Sequence, residues 1–137
     1  MLASPVCRAC LLVSACGGSI PEPAIAPQPD AAFVEVPYPP PAARVETMPA
    51  RPAGDTSWVD GQWSWEGEHW TWLAGAWVIP PAGGRFAPWA LRLGPDGHLT
   101  FAAASWRDAE GRALPPPRVV APAITEGYGS ALPVRCR

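Results

Sequence analysis

The sequence predicts a small all-β fold, an antiparallel meander of about four strands built from two hairpins. Six of the eight tryptophans lie within residues 58–77, where large and small side chains alternate on both sides of a polar loop. A second alternating stretch, residues 86–103, is interrupted by a turn containing Gly, Pro and Asp. Alternation with a period of two is typical of a half-buried strand, and this turn composition is typical of a chain reversal.

The first predicted hairpin reverses in the loop at residues 66–69, between Trp-Ser-Trp at 63–65 and Trp-Thr-Trp at 70–72. One register then produces three aromatic pairs, each contributing about 0.2–1 kcal/mol. The pairs are Trp65 with Trp70, Trp63 with Trp72, and Trp58 with Trp77. A slip of one residue would break all three, so this register is favoured.

Trp58 and Trp63 are separated by an odd number of residues, so a regular strand would place them on opposite faces. Gly61 and Gly75 lie inside the two equivalent intervals, and each is expected to mark a bulge that restores one face. The competing register makes Asp60-Gly61 a tight turn with Trp58 opposite Trp63. In the second interval, Ala74-Gly75 stands where the first has Asp60-Gly61. The long hairpin is favoured because Ala74-Gly75 is a poorer turn than Asp60-Gly61.

The second predicted hairpin turns at residues 94–98. Its register places three apolar pairs on one face: Leu93 with Leu99, Leu91 with Phe101, and Trp89 with Ala103. The two hairpins define a β domain over residues 58–112. Residues 113–137 are interpreted as a C-terminal tail, with one short strand at 119–124 as an option.

The first fifteen residues have the organisation of an export signal, with Arg8 ahead of a short apolar stretch at residues 9–15. Val-Ser-Ala-Cys at 13–16 resembles the lipobox of bacterial lipoproteins. The resemblance implies that the Cys16 thiol receives a diacylglyceryl group and that cleavage leaves Cys16 as the anchored N-terminus. Gly17, rather than Asp, follows the cysteine, which in that family favours the outer membrane. The alternative is a cytosolic protein whose first residues happen to be apolar.

Residues 16–57 are rich in proline and predict a long, disordered and extended segment that tethers the domain. At about 3.1 Å per residue, such a segment could hold a domain up to about 100 Å from the membrane. A proline-rich ligand motif at 38–41 is the alternative to a spacer. Residues 31–36 are either a short strand or part of the loop.

Two copies of one short motif, at residues 58–63 and 72–77, fit Trp-x-x-Gly-x-Trp. These copies resemble the WXXGXW repeat, also written YXWGXW, of small exported bacterial proteins. The resemblance covers about 25 residues and implies secretion and a small β-rich unit, but no particular activity.

The totals exclude several classes of protein. The net charge is −2 and lysine is absent, which gives no reason to expect nucleic acid as a partner. The sequence contains no run of 18 or more apolar residues, so we expect no helix that spans a membrane. After signal cleavage and lipidation, Cys136 is the one cysteine expected to remain without a lipid. It is then either a free thiol or a partner in an intermolecular disulfide.

No pattern typical of catalysis or of a cofactor is found, so we expect no enzyme and no metal site. His69 and His98 both fall in predicted turns, and the spacing of Glu66 and Glu68 around a glycine is typical of a solvated loop.

We therefore expect a non-enzymatic, lipid-anchored protein of the cell envelope, exported and facing the periplasm or the cell surface. Its role would be structural, or interaction with an envelope protein or polysaccharide. The alternative is a glycan- or peptidoglycan-binding module whose exposed tryptophans stack on sugar rings. The candidate stacking residues are Trp58, Trp63, Trp65, Trp70, Trp72 and Trp77. Their other role is to fill the core of a small domain.

Overall fold

The computed structural model describes residues 18–125. Within them lie one 3₁₀ turn at Asp30–Ala32 and thirteen short strands. The strands are β1 (Val34–Glu35), β2 (Glu46–Thr47), β3 (Ser57–Val59), β4 (Gln62–Trp65), β5 (Trp70–Leu73), β6 (Ala76–Ile79), β7 (Arg85–Ala87), β8 (Ala90–Leu93), β9 (Leu99–Ala102), β10 (Ser105–Arg107), β11 (Ala113–Leu114), β12 (Arg118–Pro122) and β13 (Ile124–Thr125).

The strands pair in small antiparallel sheets, so the predicted all-β fold class is confirmed. Three sheets have three strands, in the orders β1-β9-β8, β11-β10-β7 and β12-β6-β3. Two further sheets are the pairs β13-β2 and β4-β5. Both predicted hairpins are present, and the additional strands flank them.

The long hairpin has the predicted register, with Trp58 opposite Trp77, Trp63 opposite Trp72 and Trp65 opposite Trp70. The hairpin is interrupted halfway along, because β3 ends before Asp60-Gly61 and β6 begins after Ala74-Gly75. Its inner half is the pair β3–β6 and its outer half is the pair β4–β5. The competing tight turn at Asp60-Gly61 is wrong, since Trp58 pairs with Trp77 and not with Trp63.

The second hairpin, β8–β9, also has the predicted register, with Leu93 opposite Leu99 and Leu91 opposite Phe101. The ladder ends at the pair of Ala90 with Ala102, so Trp89 precedes the strand instead of forming its last pair with Ala103. Strand β1 adds to the free edge of β9.

Each half of the long hairpin packs on a different part of the chain. In the outer half, Trp63 and Trp70 form one cluster with Val36 and with Phe101 of the second hairpin. The rings of Trp70 and Phe101 meet edge to face at 4.8 Å. In the inner half, residues of β6 join Trp106 and Phe86 in a second cluster. The interruption at the two glycines allows one hairpin to serve two cores.

The proline-rich segment differs from the expected disordered tether over residues 16–57, because its described part, residues 18–57, lies along the sheets. Ala26 and Val36 are buried, and the Val36 N–H donates to the Leu99 carbonyl at 2.9 Å. Residues 31–36, left open as strand or loop, contain the 3₁₀ turn and β1. An extended chain needs no sheet of its own to pack in this way, because its backbone groups bond to neighbouring strands.

The β domain does not end at residue 112 as expected, because the C-terminal region adds strands to its sheets. Strand β11 pairs with β10, and β12 lies along β6 with a bulge between Val119 and Ala121. The optional strand at 119–124 therefore corresponds to β12 and the start of β13. By this pairing β6 becomes the central strand of its sheet, which explains why Trp77 and Val78 are so deeply buried.

Candidate functional site

The tryptophans of the long hairpin form three stacked edge-to-face pairs. The ring centroids are 5.5 Å apart for Trp58–Trp77, 5.1 Å for Trp63–Trp72 and 5.1 Å for Trp65–Trp70. Edge-to-face contact places the positive edge of one ring against the negative face of the other, and it adds about 0.5–1.5 kcal/mol to simple burial. The motif therefore builds a continuous ladder of aromatic pairs along the hairpin.

Gly61 and Gly75 mark the point where the two halves of the hairpin meet, and close approach explains both glycines. A Cβ on Gly75 would lie 2.8 Å from the Gly61 nitrogen and 2.9 Å from the Trp58 ring. A Cβ on Gly61 would collide with the Trp72 ring and the Glu46 carboxylate. Neither glycine has a positive φ, so missing side-chain volume, not backbone freedom, is what this position requires.

The Glu46 carboxylate fills the space between the two glycines. Its Oε1 accepts a hydrogen bond from Trp72 Nε1 at 2.8 Å, and its Oε2 accepts one from the Gly75 N–H at 3.0 Å. Hydrogen bonds to an ionised acceptor are among the stronger ones in proteins. Glu46 therefore ties the proline-rich segment to the middle of the hairpin.

The proline strap, which we define as residues 38–49, supplies hydrogen-bond acceptors to the indoles on the hairpin. Trp70 Nε1 donates to the Tyr38 carbonyl at 3.3 Å. Two further indoles donate to the strap, Trp63 to Ala42 at 3.3 Å and Trp77 to Pro49 at 2.9 Å. A proline-rich extended chain has carbonyls that no ladder uses, and a buried indole N–H needs an acceptor. The strap carbonyls therefore supply the acceptors that the indole N–H groups need.

Side chains of the strap, and of Arg51 just after it, contact the indole rings. The guanidinium of Arg44 lies 5.3 Å from the centre of the Trp63 ring, and that of Arg51 lies 5.9 Å from the Trp77 ring. Tyr38 meets Trp65 edge to face at 5.5 Å. These contacts are cation–π and aromatic interactions within the chain, so the aromatic face that seemed open in the sequence is occupied by the protein itself.

The six candidate stacking residues are therefore mostly unavailable to a sugar. Trp58, Trp63, Trp70 and Trp77 are buried, with 2–9% of each side chain exposed. Trp65 and Trp72 are half-buried. The structure brings all six together in one ladder, but as internal packing, and no fully exposed ring remains among them.

An open groove lies beside this ladder, around a tryptophan outside the motif. Trp89 is 37% exposed, more than any other tryptophan of the chain. Two adjoining cavities, of about 230 Å³ and 470 Å³, share Trp89, Trp58 and Asp60-Gly61. We call their combined space the Trp89 groove. The sequence pattern did not single out Trp89, because it reads as one more alternating apolar residue of the second hairpin.

Comparisons with protein-family models, with curated proteins and with solved structures found no match. The resemblance to the WXXGXW repeat therefore stays a prediction.

Polar groups that drew attention in the sequence lie apart from this groove. His69 and Glu66 are 3.8 Å apart in the exposed loop of the long hairpin, and His98 Nδ1 lies 2.8 Å from Glu35 Oε1. Within residues 18–125, no group of three His, Cys, Asp or Glu residues is placed to hold a metal ion. In that same range, no helix is long and apolar enough to cross a membrane.

One carboxylate has a shifted pKa. Desolvation raises the pKa of Asp108, but hydrogen bonds from the side chain and backbone of Arg112 outweigh it, so the pKa lies below its ordinary value of 3.8. Asp108 caps the loop between β10 and β11, which is a structural task. The predicted lipidation site Cys16 and the predicted free Cys136 both lie outside the described residues.

Proposed function

We propose that the chain is a non-enzymatic, lipid-anchored protein of the bacterial cell envelope, exported and held at the outer membrane. Its β domain has a structural or interaction role there. The observation that carries this proposal is the Val-Ser-Ala-Cys sequence at 13–16, which precedes the folded part of the chain by only a few residues. A lipid-modified cysteine in that place would anchor the whole domain.

The packing of the proline-rich segment supports a version of this proposal with a short connection. The Trp58 N–H donates to the Pro21 carbonyl at 2.8 Å, so the fold already includes Pro21. Pro21 lies five positions after Cys16 in the sequence, and five extended residues span at most about 18 Å. The domain would therefore lie close to the membrane surface, and not at the end of a stalk of about 100 Å.

The end of the domain that carries Pro21 would then face the membrane. Arg51 and Ile79 surround the same small cavity as Pro21, and Ile79 is 43% exposed. An exposed apolar side chain beside an arginine suits the boundary between lipid headgroups and acyl chains.

The anchor is tested by the variant Cys16→Ala. Acyl chains contribute about 0.8 kcal/mol per buried CH₂ group, so the native chain is expected in the membrane fraction and the variant in the soluble fraction. Cys136→Ala is the matched control, and it should stay with the membranes. A Cys16→Ala protein that still fractionates with membranes would show that lipidation at Cys16 is not the anchor.

Saccharide binding is the second candidate function. The ladder tryptophans give it little support, because the strap and the cores cover them, but the exposure of Trp89 beside an open groove favours it.

A further inference from the structure

We propose that the Trp89 groove binds a linear, uncharged oligosaccharide, with a sugar ring on the Trp89 indole. Such a ligand would specify the interaction role proposed above, on which this inference rests. Trp89 precedes β8 of the second hairpin and is not one of the ladder tryptophans, although Trp58 and Trp72 of the ladder line part of the groove.

The ring contacts and the indole N–H of Trp89 distinguish it from most of the ladder tryptophans. Its ring makes one tilted aromatic contact, with Phe101 at 6.2 Å. Five ladder indoles donate hydrogen bonds within the protein, whereas that of Trp89 donates none to any residue in the range 18–125. An exposed indole with an open face and a spare N–H is an amphipathic surface, apolar over the ring and polar at one edge.

Polar side chains line the groove on both sides of this ring. Glu22 and Gln62 lie at one end, Asp60 lies in the middle, and Arg44 and Glu46 lie at the other end. One oxygen of Asp60 accepts from Trp58 Nε1 at 2.7 Å, which fixes the carboxylate and leaves the second oxygen for a ligand. The amide of Gln62 can both donate and accept, and a guanidinium only donates.

This composition fits a sugar chain better than an anionic ligand. A pyranose has an apolar face of C–H groups, which suits an aromatic ring, and a rim of hydroxyls that need donors and acceptors. Ligand sites in general combine apolar walls with a few placed polar groups. Three carboxylates, those of Glu22, Glu46 and Asp60, and one guanidinium, that of Arg44, line the groove, so an anionic ligand is disfavoured. Carboxylates also accept hydrogen bonds from sugar hydroxyls, and a cationic peptide is the competing occupant.

The elongated form of the groove indicates a chain of sugars instead of one unit. The two cavities have Trp58, Asp60, Gly61 and Trp89 in common, so they adjoin beside the indole. A linear oligosaccharide can occupy both cavities while one of its rings lies on Trp89.

The test uses the full chain carrying Cys16→Ala, labelled with ¹⁵N, so that lipidation and localisation do not enter the result. Its eight indole N–H signals are followed during titration with maltohexaose and, separately, with the hexamer of N-acetylglucosamine. We expect the signal that Trp89→Phe removes to shift saturably with at least one of the two probes. If that signal stays unmoved by both probes at millimolar concentration, the proposal is overturned.

Calorimetry with matched variants then locates the site. Trp89→Ala should weaken binding by about tenfold or more, as expected for a central aromatic anchor, while Trp89→Phe should retain part of the affinity. Leu93→Ala is the control, because Leu93 is 72% exposed on the same hairpin and lines neither cavity. An equal loss in Trp89→Ala and Leu93→Ala would contradict a site at Trp89. The dispersion of the other indole signals checks that each variant is folded.

A cationic peptide and the variant Asp60→Asn distinguish a saccharide site from a site for cationic peptides. Asp60→Asn keeps an oxygen for Trp58 Nε1, removes the charge and turns the second acceptor into a donor, so saccharide affinity should fall by about three- to tenfold without being abolished. A hexa-arginine peptide is titrated in parallel. If the peptide shifts Trp89, the saccharides do not, and Asp60→Asn abolishes the shift, the groove is a site for cationic peptides and the saccharide assignment is wrong.

Discussion

Each copy of the motif places one tryptophan in each half of the long hairpin, but the two halves have different surroundings. In the inner half, Trp58 and Trp77 are 6% and 2% exposed, because β6 lies between β3 and β12 and because Arg51 and Pro49 contact the Trp77 indole. In the outer half, Trp63 is buried while its partner Trp72 is half-buried beside the groove. The pair geometry is nearly the same, at 5.5 Å and 5.1 Å. The motif therefore determines the pairing, and the rest of the chain determines the exposure.

The inner half should depend most on its tryptophans, which the pair of variants Trp77→Ala and Trp65→Ala tests. Trp77→Ala removes a buried ring, its edge-to-face contact with Trp58 and its hydrogen bond to the Pro49 carbonyl. The free energy of unfolding should therefore fall by about 3–5 kcal/mol. Trp65→Ala removes a half-buried ring and should lower it by about 1–2 kcal/mol. Urea unfolding measures both. Equal losses would mean that the two halves do not differ as described.

The junction between the halves is tested by adding one methyl group. Gly75→Ala places a Cβ 2.8 Å from the backbone nitrogen of Gly61, which no side-chain rotation can relieve, so we expect a loss of about 3 kcal/mol. Gly83→Ala is the control. No atom lies within 4 Å of its added Cβ, and its positive φ of 68° alone should lower stability by about 1 kcal/mol. If Gly75→Ala were the milder change, the halves would not meet closely at this point.

The attachment of the strap at the junction is tested at Glu46. Glu46→Ala deprives Trp72 Nε1 and the Gly75 N–H of their acceptor, and we expect a loss of about 2 kcal/mol in thermal or urea unfolding. Glu46→Gln retains one acceptor oxygen but places its NH₂ group against the second donor, so it should cost about 1–2 kcal/mol. Glu35→Ala, which breaks an exposed pair with His98, should cost about 0–1 kcal/mol. A Glu46→Ala protein as stable as Glu35→Ala would indicate that the strap is held elsewhere.

The smallest effect is expected far from both halves, in the loop that Asp108 caps. Because the pKa of Asp108 is lowered on folding, its contribution to stability is present above the ordinary value of 3.8 and is lost as the pH falls through the lower folded value. Asp108→Asn should therefore be slightly less stable than the native chain at neutral pH and equal to it in strong acid. A stability difference between the two proteins that stays constant down to strong acid would exclude this origin.

The register of the long hairpin could be predicted from the sequence because three pairs of large rings coincide in a single alignment. The interruption at Gly61 and Gly75 was also indicated, since each glycine lies in an interval of odd length. Both features depend on residues close in the sequence. Local pattern was therefore sufficient for the skeleton of the fold.

The covering of the hairpin could not be predicted in the same way. The strap supplies acceptors through backbone carbonyls at Tyr38, Ala42 and Pro49, and a carbonyl leaves no signature in the sequence. Glu46 reads as an ordinary surface charge until the fold places it against Gly75. Contacts between residues about 20 to 30 positions apart decide which rings are buried, and they are a property of the packed chain.

The exposure of Trp89 is the converse case. Its neighbours in the sequence are as apolar as those of the ladder tryptophans, but within residues 18–125 no strap residue accepts a hydrogen bond from its indole, and β8 begins one residue later. The candidate binding ring was therefore indistinguishable by pattern from the structural ones.

Hydrogen exchange of the indole N–H groups tests the central claim, that the proline strap closes the tryptophan ladder and leaves Trp89 open. The exchange rate of each of the eight indoles would be measured by NMR on the intact chain. The indoles bonded to the strap, those of Trp63, Trp70, Trp72 and Trp77, should exchange slowly, as groups that open only on local unfolding do. The indole of Trp89 should exchange fast. Fast exchange at the four strap-bonded indoles, at a rate like that of Trp89, would contradict the account.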